Sequence, residues 1–278
     1  MKIWLFLCLF GCTLTGNVTE PFIPVEENLP MEAYFCPRDD CLGQLQKFNN
    51  GSCAIYNSPK FQPRILVTKD ARTSGLMHNK FCVVNNMVAT GSMNPTTSNM
   101  KQANNLLVLH SSYVSRLYEA ELGELVAGTF GKGFPVQNPV IMLNNHTLRI
   151  RFCPEDKCKQ AILEVLQQAN SSILYALNLI TDEDIAAMLE EKAETLDVHG
   201  VVGEWGGRAS KADRLPNSVR KKIHHKFFVV DNEWVIAGSA NPSKAGYRKN
   251  DENVIIIHHP DLAKKYVEEV DYWHSLGT

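Results

Sequence analysis

The stretch IHHKFFVVDNEW, residues 223–234, sets an apolar run between a His-x-Lys triplet and an aspartate. Upstream, MHNKFCVVNNMV at residues 77–88 nearly repeats it, with Asn85 where the later copy has Asp231. In the later copy KFFVV and WVIAGS read as neighbouring strands joined at Asp231-Asn232-Glu233. A strand NVIIIHH and a helix from Pro260 to His274 follow. Successive side chains of a strand point to opposite faces, so His224 and Lys226 share one face and His225 takes the other. His78 and Lys80 are related in the same way about Asn79.

Working outward, five landmarks recur in the same order. CPRDDC, MHNKFCVV, ATGSMNPT, NNLLVLH and a helical segment match CPEDKC, HHKFFVVD, IAGSANPS, ENVIIIHH and a helical segment. The chain is therefore read as an internal duplication. The halves differ upstream: 42 residues separate Cys36 from His78, and 71 separate Cys153 from His224. In the second half that length reads as helix, strand, capped amphipathic helix and strand. The first half supplies only a shortened helix and a strand in CLGQLQKFNNGSCAIYNSP, and its side is expected to be thinner and more open. Strands alternating with helices predict two α/β sandwich halves. The boundaries read as a leader over 1–30, a reduced repeat over 31–130, a linker over 131–147 rich in Gly, Pro and Asn, and a second repeat over 148–278.

The chain has 278 residues, 44% of them hydrophobic, enough for a real core, and a formal charge of −2. No global attraction to nucleic acid or anionic membrane follows from that charge, so anion binding must be local. The opening MKIWLFLCLFGC has the apolar length of a signal peptide and is too short to span a bilayer, so export is expected. Its end also looks like a bacterial lipobox at Cys12, with Phe10 a poor fit. Cleavage with lipidation, cleavage without it and an uncleaved N-terminal anchor all stand, for a protein secreted or held at the cell surface.

Eight cysteines suit an oxidising compartment. CPRDDC and CPEDKC can each close a tight local disulfide. A shared zinc site is the rival, weakened by a spacing wider than the usual knuckle. Cys53 and Cys82 read either as a third bridge or as small core residues.

His224-x-Lys226, Asp231, Gly238-Ser239-x-Asn241 and Glu252-Asn253 resemble the HKD signature of the phospholipase D superfamily, and the first half carries most of it again. The resemblance covers nearly the whole chain after the export segment. It implies two α/β halves meeting at a pseudo-twofold axis, with one His from each facing a single site. It also implies phosphodiester chemistry through a covalent phosphohistidine, with no metal or other cofactor. Family pattern makes His78 the nucleophile and His224 the general acid.

The residue types suit that step independently of the family. An anionic phosphodiester needs a nucleophile, an acid for the leaving group and fixed positive charge on its non-bridging oxygens. His78 and His224 fit the first two roles and Lys80 and Lys226 the third. Ser92, Asn94, Ser239 and Asn241 add neutral hydrogen bonds. The first half departs from the pattern twice, with Asn85 for the aspartate and Asn104 where the second has Glu252. An amide cannot stabilise an imidazolium by charge, so the His served by Asp231 or Glu252 is expected to be the better base or acid. The tyrosyl-DNA phosphodiesterase branch similarly carries Asn there.

Residues 207–226 hold seven Lys or Arg against one Asp, expected as a solvated loop or as a rim drawing in a phosphate-rich ligand, without aromatics for base stacking. The leading expectation is an exported monomer hydrolysing a phospholipid, and the second is an extracellular endonuclease of the same superfamily, of the EDTA-resistant bacterial kind. The third is a catalytically weak phosphate-binding protein, motivated by the lost acids.

Overall fold

The computed structural model describes residues 23–276 apart from 58, 71, 73, 97, 98, 205, 206, 208, 209 and 216. The export segment, with Cys8 and Cys12, lies outside the described residues. After a short β1 (Val25–Glu26), the first half lays down β2 (Met31–Cys36), α1 (Cys41–Gln46), β3 (Ser52–Ile55), β4 (Ile65–Val67), β5 (Lys80–Val84), β6 (Met87–Gly91), β7 (Asn104–His110) and α2 (Ser112–Val126). The second half begins with β8 (Val140–Leu143), β9 (His146–Cys153), α3 (Cys158–Gln167), β10 (Ser172–Leu177), α4 (Glu183–Lys192) and β11 (Asp197–Gly203). It ends with β12 (Ser218–Lys221), β13 (Lys226–Val230), β14 (Trp234–Gly238), α5 (Lys244–Arg248), β15 (Glu252–His258) and α6 (Pro260–Ser275).

The two sheets run in matching order, β2-β7-β6-β5-β3-β4 in one and β9-β15-β14-β13-β10-β11 within the other. Strands β10, β13 and β15 are buried almost end to end because both faces of their sheet are covered, which is why they read as continuous apolar runs. One face packs into a core shared with the other half and the helices α2 and α6. The far face of the second sheet is covered by α3 and α4, and that of the first by α1.

Aromatic contacts stitch the halves together with the same symmetry. Phe35 of β2 meets Tyr266 and Phe227 of the second half, and Phe152 of β9 meets Tyr118 and Phe81 of the first. Edge-on ring pairs of this kind contribute about 0.5–1.5 kcal/mol each beyond area burial.

Among the described residues three disulfides are formed. Cys36–Cys41 and Cys153–Cys158 close the two paired loops, and Cys53–Cys82 joins directly opposed residues of β3 and β5. Gly91 and Gly238 end β6 and β14 with φ of +148° and +143°, and a Cβ on either would come within 2.2 Å of the Asn105 or Asn253 carbonyl oxygen. Only glycine permits that approach, and it carries Ser92 and Ser239 against the neighbouring strand.

The first half is the thinner one. Its parallel strands β3 and β4 are joined without a helix among the described residues, where α4 joins β10 to β11. Among the described residues nothing corresponds to β12 either, so β4 is an edge strand there, with Ile65 41% and Leu66 39% exposed.

Two expectations change. Residues 140–147, read as linker, form β8 and the start of a hairpin with β9, turning at Asn144-Asn145, both at positive φ. Asn tolerates that conformation, and the alternation of VIML and HTLRI completes the signal. The leader likewise adds β1, paired parallel to β8.

Candidate active site

Each His-x-Lys triplet is fixed by the other half of the chain. His78 N–H donates to the Asp251 carbonyl at 3.0 Å and His224 N–H to the Ala103 carbonyl at 2.8 Å. Those acceptors immediately precede β15 and β7, so the first residue of each of these strands is delivered to the opposite imidazole.

That crossing decides which group serves which His. Glu252 Oε1 lies 2.7 Å from His78 Nδ1, whereas Asn104 Oδ1 lies 2.8 Å from His224 Nδ1. Both partners are held in turn. Glu252 is fully buried and accepts from Ser239 Oγ at 2.6 Å and Asn250 Nδ2 at 3.1 Å. Asn104 donates from Nδ2 to the Asn99 and Gln102 carbonyls, which leaves Oδ1 to receive Ser92 Oγ at 3.2 Å and the His224 ring. Supporting partners of this sort fix ring orientation and tautomer. With Nδ1–H given to Glu252, the neutral His78 ring presents a lone pair on Nε2.

The ammonium groups complete the cluster. Lys80 Nζ sits 3.1 Å from His78 Nε2 and donates to the His78 carbonyl at 2.7 Å. Lys226 Nζ is 3.3 Å from each His224 ring nitrogen and donates to the His224 carbonyl at 3.0 Å. Burial depresses the His78 pKa, Glu252 opposes that, and Lys80 and Lys226 add to it. His224 is driven well below the usual histidine value by burial, then by Lys226, Lys80 and His78, with no carboxylate to offset them. Burial also brings Lys80 down to about 8, with Glu252 opposing. Lys226 falls well below its ordinary value through burial and then the Lys80 charge. Two histidines from different halves thus share one electrostatic neighbourhood, in which two buried ammonium groups stand against the Glu252 carboxylate on the His78 side.

Several expected residues sit elsewhere or act differently. Asp231 is a correction: it lies in the turn after β13, five strand residues or about 16 Å from the triplet. Its carboxylate accepts from the N–H groups of Asn170, Ser171 and Ser172 at 2.8–3.1 Å. Burial raises its pKa, but those bonds outweigh burial and hold it below the usual value. Asp231 anchors the start of β10, and its counterpart Asn85 occupies the equivalent turn at positive φ. Ser92, Ser239 and Glu252, expected against substrate, face the orienting network instead. Asn94 is buried with its Oδ1 unpartnered, and Asn241 accepts weakly from Asn178 Nδ2 at 3.5 Å.

Four of the seven basic residues of 207–226, read as a solvated loop or a ligand-drawing rim, are engaged within the protein. Lys211 pairs with Glu183, Arg214 with Glu183 and Glu190, Arg220 with Asp213, and Lys221 donates to the Leu276 carbonyl. Acids of α4, remote in sequence, account for most of this neutralisation.

Between the two key residues of each triplet, Asn79 and His225 face inward, to Glu121 at 3.3 Å and Glu269 at 2.8 Å. Among the described residues, the acidic grouping close enough to surround a cation is Glu121, Glu124 and Glu155, behind β5 and away from the paired histidines. His258 is near Glu233 at 3.5 Å, and His259 caps α6. A groove of about 540 Å³ lined by Lys159, Gln160, Leu163 and Tyr247 includes neither histidine. Sequence reasoning missed Tyr56, whose ring centroid is 5.0 Å from that of His78, and Asn178. Each follows a strand, β3 or β10, and donates its backbone N–H to the residue between His and Lys. That register has no signal in sequence spacing.

Residues 162–273 match the family model described as cardiolipin synthase, PLD-like domain. The chain is 27% identical over 129 residues to phospholipase D of Rickettsia bellii, covering 42% of this chain and 64% of that protein. It therefore spans somewhat less than two thirds of that relative's length. Nuc from Salmonella typhimurium, a phospholipase D family member, is 30% identical, with 45% of this chain and 92% of that chain covered and a TM-score of 0.41. Phosphatidylserine synthase of Haemophilus influenzae is 11% identical with a TM-score of 0.54, over 74% of this chain and 64% of its own, a likeness of fold alone. The chain belongs to the phospholipase D superfamily.

Proposed function

We propose that the chain hydrolyses a phospholipid phosphodiester, without a metal, through a phosphohistidine on His78. The observation that carries this reading is the unequal service of the two imidazoles: a carboxylate on His78 and an amide on His224. When His78 Nε2 attacks phosphorus, a nitrogen–phosphorus bond forms and the ring becomes cationic. Glu252 on Nδ1 offsets that charge directly. The phosphorus–oxygen bond to the leaving group breaks, and the departing oxygen takes a proton from His224. An imidazolium facing Asn104 gains no charge stabilisation and gives its proton up readily.

In the second step His224 removes a proton from water, the water oxygen attacks phosphorus, and the nitrogen–phosphorus bond breaks. A phosphomonoester leaves and both histidines return to their starting states. Lys80 and Lys226 hold the non-bridging oxygens throughout, with Asn94 and Asn241 beside them. The free site keeps His224 neutral, so the bound diester supplies the negative charge that lets it take up the proton it later donates. The binding-only alternative loses its motive, because His78 receives its acid from the other half.

A phospholipid is preferred because the relative from Rickettsia carries the name phospholipase D. Metal independence rests on the family pattern. The three disulfides suit export, and no helix among the described residues is long and apolar enough to cross a membrane. Both half-sites lie in one chain, which suits a monomer. The test is hydrolysis in EDTA of phosphatidylcholine vesicles and of single-stranded DNA, comparing wild type, His78→Asn and His224→Asn. Lipid cleavage abolished in both variants supports the proposal. Cleavage of DNA alone replaces the substrate class, and equal background in all three proteins removes the enzymatic reading.

A further inference from the structure

The two sides of the site differ in one residue type that the family signature does not include. Tyr56 leaves β3 with its N–H on the Asn79 carbonyl at 2.9 Å, and Asn178 leaves β10 with its N–H on the His225 carbonyl at 2.6 Å. These are equivalent positions of the duplicated fold, yet one carries a phenol and the other an amide. The Tyr56 ring packs against the His78 imidazole, with centroids 5.0 Å apart and planes inclined by 55°. Lys80 Nζ lies 5.7 Å from the centre of the same ring.

We infer that Tyr56 is a positioning residue peculiar to the His78 side, bracing the imidazole for attack and helping to hold the Lys80 charge beside it. The inference rests on the proposed role of His78. Glu252 fixes one ring nitrogen, but a single hydrogen bond leaves the ring free to tilt about it. A packed aromatic wall removes that freedom, and near-attack geometry depends on such constraints. An ammonium within about 6 Å of an aromatic centre is also stabilised by the ring quadrupole. Lys80 needs that help, since burial works against its charge. The opposite side needs no wall, because His224 only relays protons and tolerates a looser ring.

The ring, rather than the hydroxyl, does this work. Tyr56→Phe is therefore expected to keep kcat within about twofold, and Tyr56→Leu and Tyr56→Ala to lose about 10–100-fold in kcat with a smaller change in KM. The alkaline limb of the kcat profile, where Lys80 loses its proton, should move down by about half a unit in the Leu and Ala variants and stay in place in Phe. A purely structural role would lower the amount of active enzyme without moving that limb.

The experiment measures full pH profiles on bis(4-nitrophenyl) phosphate in EDTA for wild type, the three Tyr56 variants and His78→Asn, with thermal unfolding of each. If His78→Asn turns over like wild type, the parent reading fails and this one with it. If His78→Asn is inactive while Tyr56→Leu, folded, keeps the wild-type kcat and alkaline limb, the role assigned to Tyr56 alone is overturned. A loss of activity in Tyr56→Phe equal to that in Tyr56→Leu would also overturn it, by assigning the effect to the hydroxyl.

Discussion

Replacing Glu155 by Gln should stabilise the protein at alkaline pH and leave it unchanged in acid. The reason lies in a charge reversal between the halves. In the second half, buried Glu269 receives His225 and Trp273 on one oxygen and Arg38 on the other. Arg38 belongs to CPRDDC. At the equivalent place in CPEDKC stands Glu155, so a carboxyl and not a guanidinium faces the acids of the other half, Glu121 and Glu124, one oxygen of each lying within 4.8 Å of the others. Burial, and then Asp156, Asp251 and Glu124, push Glu155 up to about 7 against an ordinary 4.5, with its backbone N–H opposing. Glu121 is raised well above its usual value by burial and the surrounding acids.

A carboxyl raised in the folded state costs nothing below its unfolded pKa. The cost grows as pH rises from about 4.5 to 7 and is complete above that. Taken whole, the shift is worth about 3 kcal/mol. Glu155 is partly exposed, and solvent screening reduces the figure to about 1–2 kcal/mol. At pH 8 Glu155→Gln should then raise the melting temperature by about 2–6 °C, and Glu155→Arg, which restores the Arg38 arrangement, by at least as much. Thermal unfolding at pH 4.5, 6 and 8 is the assay. Equal shifts at all three values, or a loss at pH 8, would refute the reasoning.

Three further outcomes follow from the site. Asp231→Asn should lose about 1–2 kcal/mol of stability, read from denaturant unfolding, while kcat stays within about twofold, because the carboxylate accepts backbone N–H groups of residues 170–172 and lies away from the histidines. Glu252→Gln should lower kcat about 10²–10³-fold with KM little changed, measured on an activated diester, since it removes the charge that offsets the phosphohistidine cation. Vanadate should bind with net proton uptake in calorimetry performed in buffers of different ionisation enthalpy. His224 is depressed in the free site and relieved by the anion, so affinity should rise as pH falls through the histidine value of the complex and level off below that of the free site.

The duplication, the strand pairs and the His-x-Lys face were legible because a period of two and an ordered repeat survive in the letters themselves. What served each imidazole was not, because Glu252 reaches His78, 174 residues away in sequence, only through packing between the halves. Asp231 misled for the opposite reason: it is near the motif in sequence, but an extended strand carries it to the far end of the sheet. The basic segment before β13 looked like a free rim because its counter-charges, Glu183 and Glu190, lie on a helix some 30 residues upstream. Residues 140–147 passed as linker because Asn marks a hairpin turn as well as a boundary.

The central claim is that His78 carries the phosphoryl group and His224 moves the protons. The most direct measurement is to mix His224→Asn with bis(4-nitrophenyl) phosphate, quench in alkali, in which a phosphorus–nitrogen bond survives, and map the adduct by tandem mass spectrometry. The expected result is one equivalent of nitrophenylphosphoryl group on the peptide containing His78, and none in His78→Asn. An adduct on another residue, or steady turnover with no adduct at any time, would contradict the account.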